Sequence, residues 1–260
     1  PMVWFLITVV FIVMRVLPGD PIRSQLGPKA TEEQVELIRI RMGLDKPLIV
    51  QYGEFLVDVV TLDFGNALTQ GERPIRDELG EKLPATIELT IPAIIFTAVF
   101  GILSGAYAAK NRKKFPDYSL RLFSVFIYSI PIFFLGLVFQ IIFSVWLGIL
   151  PLYGRLDPLT QVNFVSTTNF YVLDSLLSRD WVAFKSAVTH LIMPSLTLGL
   201  ALTGVFIRLT RVNMIEILQS DFITAGRARG LSERRLAYRH ALRNVFIPIL
   251  TLIGLQFAIL

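Results

Sequence analysis

Cysteine is absent from this chain, so it can build no disulfide framework, no thiolate metal site and no cysteine nucleophile. Histidine is nearly absent. His190 and His240 are the only two, too few for a histidine metal cluster. No G-x-x-x-x-G-K-[ST] motif occurs, nor even a Gly-Lys pair, so the chain has no phosphate-cradling loop of its own for ATP. Charge is scarce as well, at 17% of residues, while 53% of the 260 residues are hydrophobic and mean hydropathy is +0.62. That composition describes one polytopic membrane domain and is too apolar for a soluble one. The net charge of +5 does not point to nucleic acid. The basic residues border apolar segments and do not stripe a soluble face.

The apolar runs come in order. Residues 1–14 are uncharged until Arg15 and Leu-Pro-Gly-Asp-Pro (17–21) stop them, and fourteen are fewer than the ~20 a span requires. Residues 1–17 are therefore expected to be part of a first transmembrane helix. Residues 18–85 form a polar segment with twelve acids against eight basic residues, too long for its charge to set its side of the membrane. Within it Thr31-x-x-Gln34 fits a capping box, Val35, Ile38 and Met42 share a helical face, and Gly43 ends that helix. Pro47 then opens a second amphipathic helix carrying Leu48, Tyr52, Phe55 and Val59. This segment is either a docking surface for an external partner or a lid that stabilises the bundle.

Leu89–Ala109 is uncharged throughout and long enough to span, with transmembrane helix expected at about 87–109. Glu88 sits at its edge, where a carboxylate is either functional or simply hydrated or paired with Lys82. Five basic residues and one acid, Asp117, follow in the short loop from Lys110 to Arg121. Residues 122–150 are uncharged for longer than one straight span needs, and Pro131 interrupts them with a kink. Ser129, Pro131 and Gln140 are the candidates on this helix for a translocation path; ordinary helix-packing polarity is the alternative for each. A balanced loop, 151–186, precedes a span at about 187–207 with His190 near its outer end, and a last span opens at about 245–260.

Between those last two lies the most distinctive stretch, 208–244. It holds eight basic residues against Glu216, Asp221 and Glu233. Together the two basic loops carry thirteen basic residues and four acids, whereas the loop between them carries three of each, which places the basic loops in the cytoplasm. The stretch also carries helix punctuation. Ser220 or Asp221 caps a short helix over 222–229, Gly230 ends it in a left-handed turn, and Ser232 caps a return helix with Glu233 in its first turn.

Thr224-Ala225-Gly226, three residues, then Gly230 resembles the EAA loop of the membrane subunits of ABC importers. Ala-Gly-Arg-Ala-Arg-Gly-Leu (225–231), followed by Ser-Glu-Arg-Arg and Arg-His-Ala-Leu-Arg-Asn, resembles the oligopeptide/dipeptide permease branch. So do Leu-Pro-Gly-Asp-Pro (17–21), Gly-Leu-Asp-Lys-Pro (43–47), Gln51-Tyr52 and Asp63-Phe64-Gly65. Thr224 stands where the general motif has Glu, and Pro248 comes five residues late, departures usual in the peptide branch.

The resemblance implies an all-α, six-helix importer permease in the prokaryotic cell membrane, with the first helix partial and the end of the fifth and the sixth lying beyond this sequence. Thr224, Ala225, Gly226, Arg227, Ala228, Arg229, Gly230 and Leu231 would couple the chain to an ATPase subunit. The small residues would let a partner groove approach, and Arg227 and Arg229 would meet acids on its rim. The implied partners are a second homologous permease in a heterodimer, two ATP-binding subunits holding ATP and Mg, an external substrate-binding protein and membrane lipid. This chain would hold no catalytic residue, cofactor or metal.

Peptides are the expected cargo, with oligosaccharides, nickel chelates or glutathione as alternatives. A secondary transporter would show internal repeats and charged residues at mid-membrane, and neither is evident. A membrane-embedded hydrolase would need paired carboxylates or a Ser/His set at that depth, which is also not evident. A merely topogenic basic loop is the plain alternative to the coupling reading.

Overall fold

The computed structural model describes residues 1–16, 31–41, 43–66 and 73–260, in two compact units, Pro1–Lys82 and Leu83–Leu260. The Leu-Pro-Gly-Asp-Pro stop, the Gln34 and Ile38 side chains and Met42 lie outside the described residues. No strand forms among the described residues beyond one isolated bridge, Asn66 to Pro74.

In the first unit α1 spans Met2–Val16, α2 Glu32–Arg41 and α3 Leu48–Thr61. Two acids, Glu32 and Glu33, occupy the first turn of α2, where the helix dipole favours them. Gly43 follows that helix at φ +64°. Pro47 precedes α3, and Gln51 folds its amide back onto the carbonyls of Leu44 (3.3 Å) and Lys46 (2.7 Å), fixing the turn between the two helices. Phe11 of α1 is buried between Tyr52 (5.1 Å) and Phe55 (5.5 Å), and Thr8 bonds the Tyr52 hydroxyl at 2.7 Å.

The second unit is dominated by two long helices. Helix α4 runs Ile75–Lys110, with residues 83–110 in this unit, and α9 runs Trp181–Leu218, 36 and 38 residues. At 1.5 Å per residue each is about 55 Å long, well beyond the ~30 Å hydrocarbon core. Between them come α5 (Phe115–Ser129), α6 (Ile132–Phe139) continued by a π-helical Gln140–Trp146, α7 (Pro158–Asn163) and α8 (Tyr171–Leu177). After α9 come α10 (Asp221–Ala228), α11 (Glu233–Arg235), a π-helical Leu236–Ala241 and α12 (Leu242–Ile259). Three of these stretches, 75–110, 181–218 and 233–259, are long and apolar enough to cross a membrane. The uncharged run 122–150 is not one gently kinked helix: α5 and α6 meet at Pro131 with a bend of 99°. Proline carries no N–H for the helical ladder and its ring clashes with the preceding turn, so the ladder breaks there.

Small residues let the helices approach. Gly101 and Gly105, spaced G-x-x-x-G on α4, lie against Phe206, Ile207 and Thr210 of α9, where a Cβ on Gly105 would fall 2.8 Å from the Ile207 carbonyl. Thr97 donates to the Gly199 carbonyl at 2.8 Å across the same contact. On the other side of α9, a Cβ on Gly204 would lie 2.6 Å from the Ser124 carbonyl of α5. Apolar side chains on the remaining faces, such as Ile95, Val99, Leu103, Val125 and Phe126, stay exposed, as a lipid-facing surface requires.

Candidate functional site

Helix α10 is built as a bracket. Ser220 precedes it in extended conformation, and its end is a Schellman turn in which Gly230 donates to Arg227 (2.9 Å) and Leu231 to Gly226 (3.1 Å). Gly230 sits at φ +80°, where a side chain is strained although nothing lies within 4 Å of its would-be Cβ. Ser232 then accepts from the Arg235 N–H at 3.4 Å and starts α11. The loop expected over 208–244 is thus mostly helical, since α9 reaches Leu218 and helix resumes at Glu233.

One face of α10 points into the protein. Ile223 is fully buried with Phe206 and Met214 of α9, Leu236, Ala237, Ala241, Val245 and Ile249, and Leu231 packs partly against them. Gly226 belongs to this inner face: a Cβ there would meet Leu236 Cδ2 at 2.7 Å. Its smallness therefore admits a residue of its own chain, and the expectation that it opens the helix to a partner groove is corrected. Thr224, Ala225, Arg227, Ala228 and Arg229 are exposed on the other face. The Thr224 hydroxyl bonds back to Ser220 (3.3 Å). Arg227 is held in a two-pronged pair by Glu233 of the same chain, at 2.6 and 3.2 Å, closing the Gly230 turn. Phe222, which sequence reasoning passed over, is half exposed beside them. Its signal was a large apolar residue on the polar side of an amphipathic helix.

The opposite end of the unit is tied by Glu88. Its carboxylate accepts from Arg155 (2.8 Å) and from the N–H groups of Tyr171 (3.3 Å) and Val172 (2.6 Å) at the start of α8. Pairing with Lys82, one of the alternatives weighed for Glu88, is thereby corrected; Lys82 bonds Glu78 at 3.1 Å. Arg155 also donates to the Asn169 carbonyl and lies 3.7 Å from the Tyr171 ring centre. Asp174 is buried in the first turn of α8. Burial alone would push its carboxyl up, but the hydroxyls of Ser166 and Thr168 and the N–H groups of Thr168 and Thr167 bring it down to about 2. His190 is buried with Nδ1 2.7 Å from the Ser186 carbonyl.

Beside this knot lies a cavity of about 430 Å³ lined by Leu89, Phe133, Gln140, Tyr153, His190 and Thr197, among others. Of the three path candidates Gln140 lines it, with its amide on the Leu152 carbonyl at 3.2 Å. Ser129 and Pro131 do not: Ser129 is exposed with its hydroxyl on Val125, and Pro131 marks the bend.

A family profile described as "Binding-protein-dependent transport system inner membrane component" matches residues 98–260. The chain belongs to this family. A companion profile, "Binding-prot-dependent transport system membrane comp, N-term", matches residues 2–90. The chain is 39% identical to the di/tripeptide transport system permease protein DppB of Pseudomonas aeruginosa (strain UCBPP-PA14), over 95% of this chain and 73% of that protein. Identity is 37% to the dipeptide transport system permease protein DppB of Alkalihalophilus pseudofirmus, over 95% and 74%. It is 34% to the glutathione transport system permease protein GsiC of Escherichia coli (strain K12), over 100% and 75%. This permease is thus an all-α, multi-pass protein of the cell membrane and a transport subunit of an ABC importer.

Proposed function

We propose that this permease imports di- or oligopeptides, that α10 is its coupling helix, and that Thr224–Leu231 transmit the movement of ATP-binding subunits. The observation that carries the reading is the two-faced bracket: Ile223 and Gly226 are locked into the bundle while Phe222, Thr224, Ala225, Arg227, Ala228 and Arg229 stay exposed. A merely topogenic loop needs basic charge but no buried anchor and no Schellman turn. ATP and Mg belong to the two ATP-binding partners, which grip the helix from the cytoplasm. A second homologous permease completes the path, of which Gln140 and the cavity beside it form part, and an external binding protein delivers cargo. Nucleic acid is not a partner.

Peptide cargo is supported by the names of the dipeptide permeases, and glutathione, itself a short peptide, by the third relative. In proteoliposomes, the complete assembly should take up a radiolabelled dipeptide only when ATP and the loaded binding protein are present. Excess glutathione should compete only in a glutathione carrier. Uptake by the permease without ATP-binding subunits would return the secondary-transporter reading, and turnover of ATP by the isolated chain would overturn the division of labour.

A further inference from the structure

We propose that the Asp117–Arg211 ion pair is the joint that carries movement of the coupling helix into α5 and the Pro131 bend, making both side chains positioning residues for transport. The inference rests on α10 being the coupling helix. Asp117 stands in the first turn of α5 and is 1% exposed. Arg211 stands 94 residues away near the end of α9 and donates through Nε to Oδ1 at 2.5 Å and through Nη2 to Oδ2 at 2.8 Å. The same carboxylate accepts the N–H of Lys113 at 3.0 Å, with Lys113 held at φ +63°. One carboxylate therefore fixes the α4–α5 turn, the start of α5 and the end of α9.

Stability is a weak reason for such a pair. Two charges withdrawn from water regain little net energy, and a well-packed apolar pair often replaces them without loss. What a planar fork on a carboxylate does supply is direction: two parallel hydrogen bonds forbid rotation, which a lysine point charge allows. The contacts on either side give that direction a use. One turn beyond Arg211, Met214 is fully buried in the cluster that seats Ile223 of α10. Beyond Asp117, the Ser124 carbonyl of α5 presses on Gly204 of α9, with no side chain between them to take up slack. Helix α5 then ends at Ser129, before the 99° bend into α6, which lines the cavity through Phe133 and Gly136. A displacement of α10 has a continuous packed route to that bend.

The test uses the complete transporter, with its second permease, ATP-binding subunits and binding protein, and exploits the absence of cysteine from these 260 residues, with any cysteine elsewhere in the assembly replaced by serine. Phe222→Cys reports docking by its protection from a maleimide when the ATP-binding subunits are present. Tyr153→Cys, in the cavity wall, reports transmission by its change in labelling rate between ATP-free and ATP-vanadate states. Each is combined with Arg211→Lys, with the apolar pair Asp117→Leu/Arg211→Met, and with the swap Asp117→Arg/Arg211→Asp.

The expected result is unchanged protection at position 222 in all three, with the nucleotide response at 153 reduced at least fivefold in Arg211→Lys and the apolar pair. The swap should recover part of that response. Full response in an assembled apolar-pair variant overturns the proposal, as does a wild-type permease with no response at 153. Loss of protection at 222 in the otherwise wild-type assembly overturns the coupling reading itself.

Discussion

The loop around Glu88 and helix α10, at the two ends of the Leu83–Leu260 unit, are secured by different chemistry. At the Glu88 end, irregular chain is held by carboxylates: Glu88 collects a guanidinium and two backbone N–H groups, and Asp174 collects three hydroxyls and two N–H groups. At the α10 end, a regular helix is held by apolar burial around Ile223 and Leu236 and by one exposed ion pair. Directional hydrogen bonds fix a loop in one shape because each has a narrow range of angles. Apolar contacts are non-directional and tolerate small sliding. The first end is suited to a fixed cap and the second to a helix that stays seated on the bundle while it shifts slightly under load.

The sharpest way to break the comparison is Glu88→Ala. It leaves Arg155 without its carboxylate and orphans the N–H groups at the start of α8, and should cost about 3 kcal/mol. A clear drop in the thermal midpoint of the purified permease checks it; an unchanged midpoint would mean the knot is ornamental. Asp174 comes next. Because its carboxyl is depressed to about 2, its contribution is complete above the ordinary carboxylate range and is lost as pH falls from about 4 through 2. That contribution is on the order of 2 kcal/mol, and Asp174→Asn should flatten this acid limb of the stability profile.

At the other end, Gly226→Leu should cost about 1–3 kcal/mol by overpacking against Leu236, whereas Gly226→Ala needs only a small shift of that flexible side chain. Proteolysis within 219–232 should rise for Leu and not for Ala; equal behaviour would place Gly226 away from the core. Gly230→Val should cost about 1–2 kcal/mol from its left-handed φ alone, and Gly230→Asn less, since no neighbour crowds the site. The smallest effect belongs to Glu233→Gln. With side chains 43% and 57% exposed, the Arg227–Glu233 pair is worth about 0.5 kcal/mol and should fade with salt.

Much of this architecture was legible in one dimension. Residues lost to water or lipid announce themselves by run length, so Leu89–Ala109 and the apolar stretch before Arg208 read as spans. Local chemistry was equally plain around Gly230, because a glycine between Arg229 and Leu231, followed by Ser-Glu, punctuates helices through contacts a few residues apart. Pro131 marked a break, but its 99° depends on how α6 packs beyond it.

The partners of Glu88, Asp117 and Arg211 were not legible. A carboxylate's sequence neighbours, Lys82 for Glu88 or the lysines before Asp117, are nearby candidates for an ion pair, whereas the guanidinium groups that hold these two come from 67 and 94 residues away. Such pairings depend on which helix faces meet, and those are set by Gly101, Gly105 and Gly204 admitting their neighbours at close range. Composition, span positions and the Gly230 turn follow from the sequence because they arise from local chain chemistry. The inward face of Gly226, the Glu88 knot and the Asp117–Arg211 joint exist only once the helices pack, because each requires groups that the chain alone never brings together.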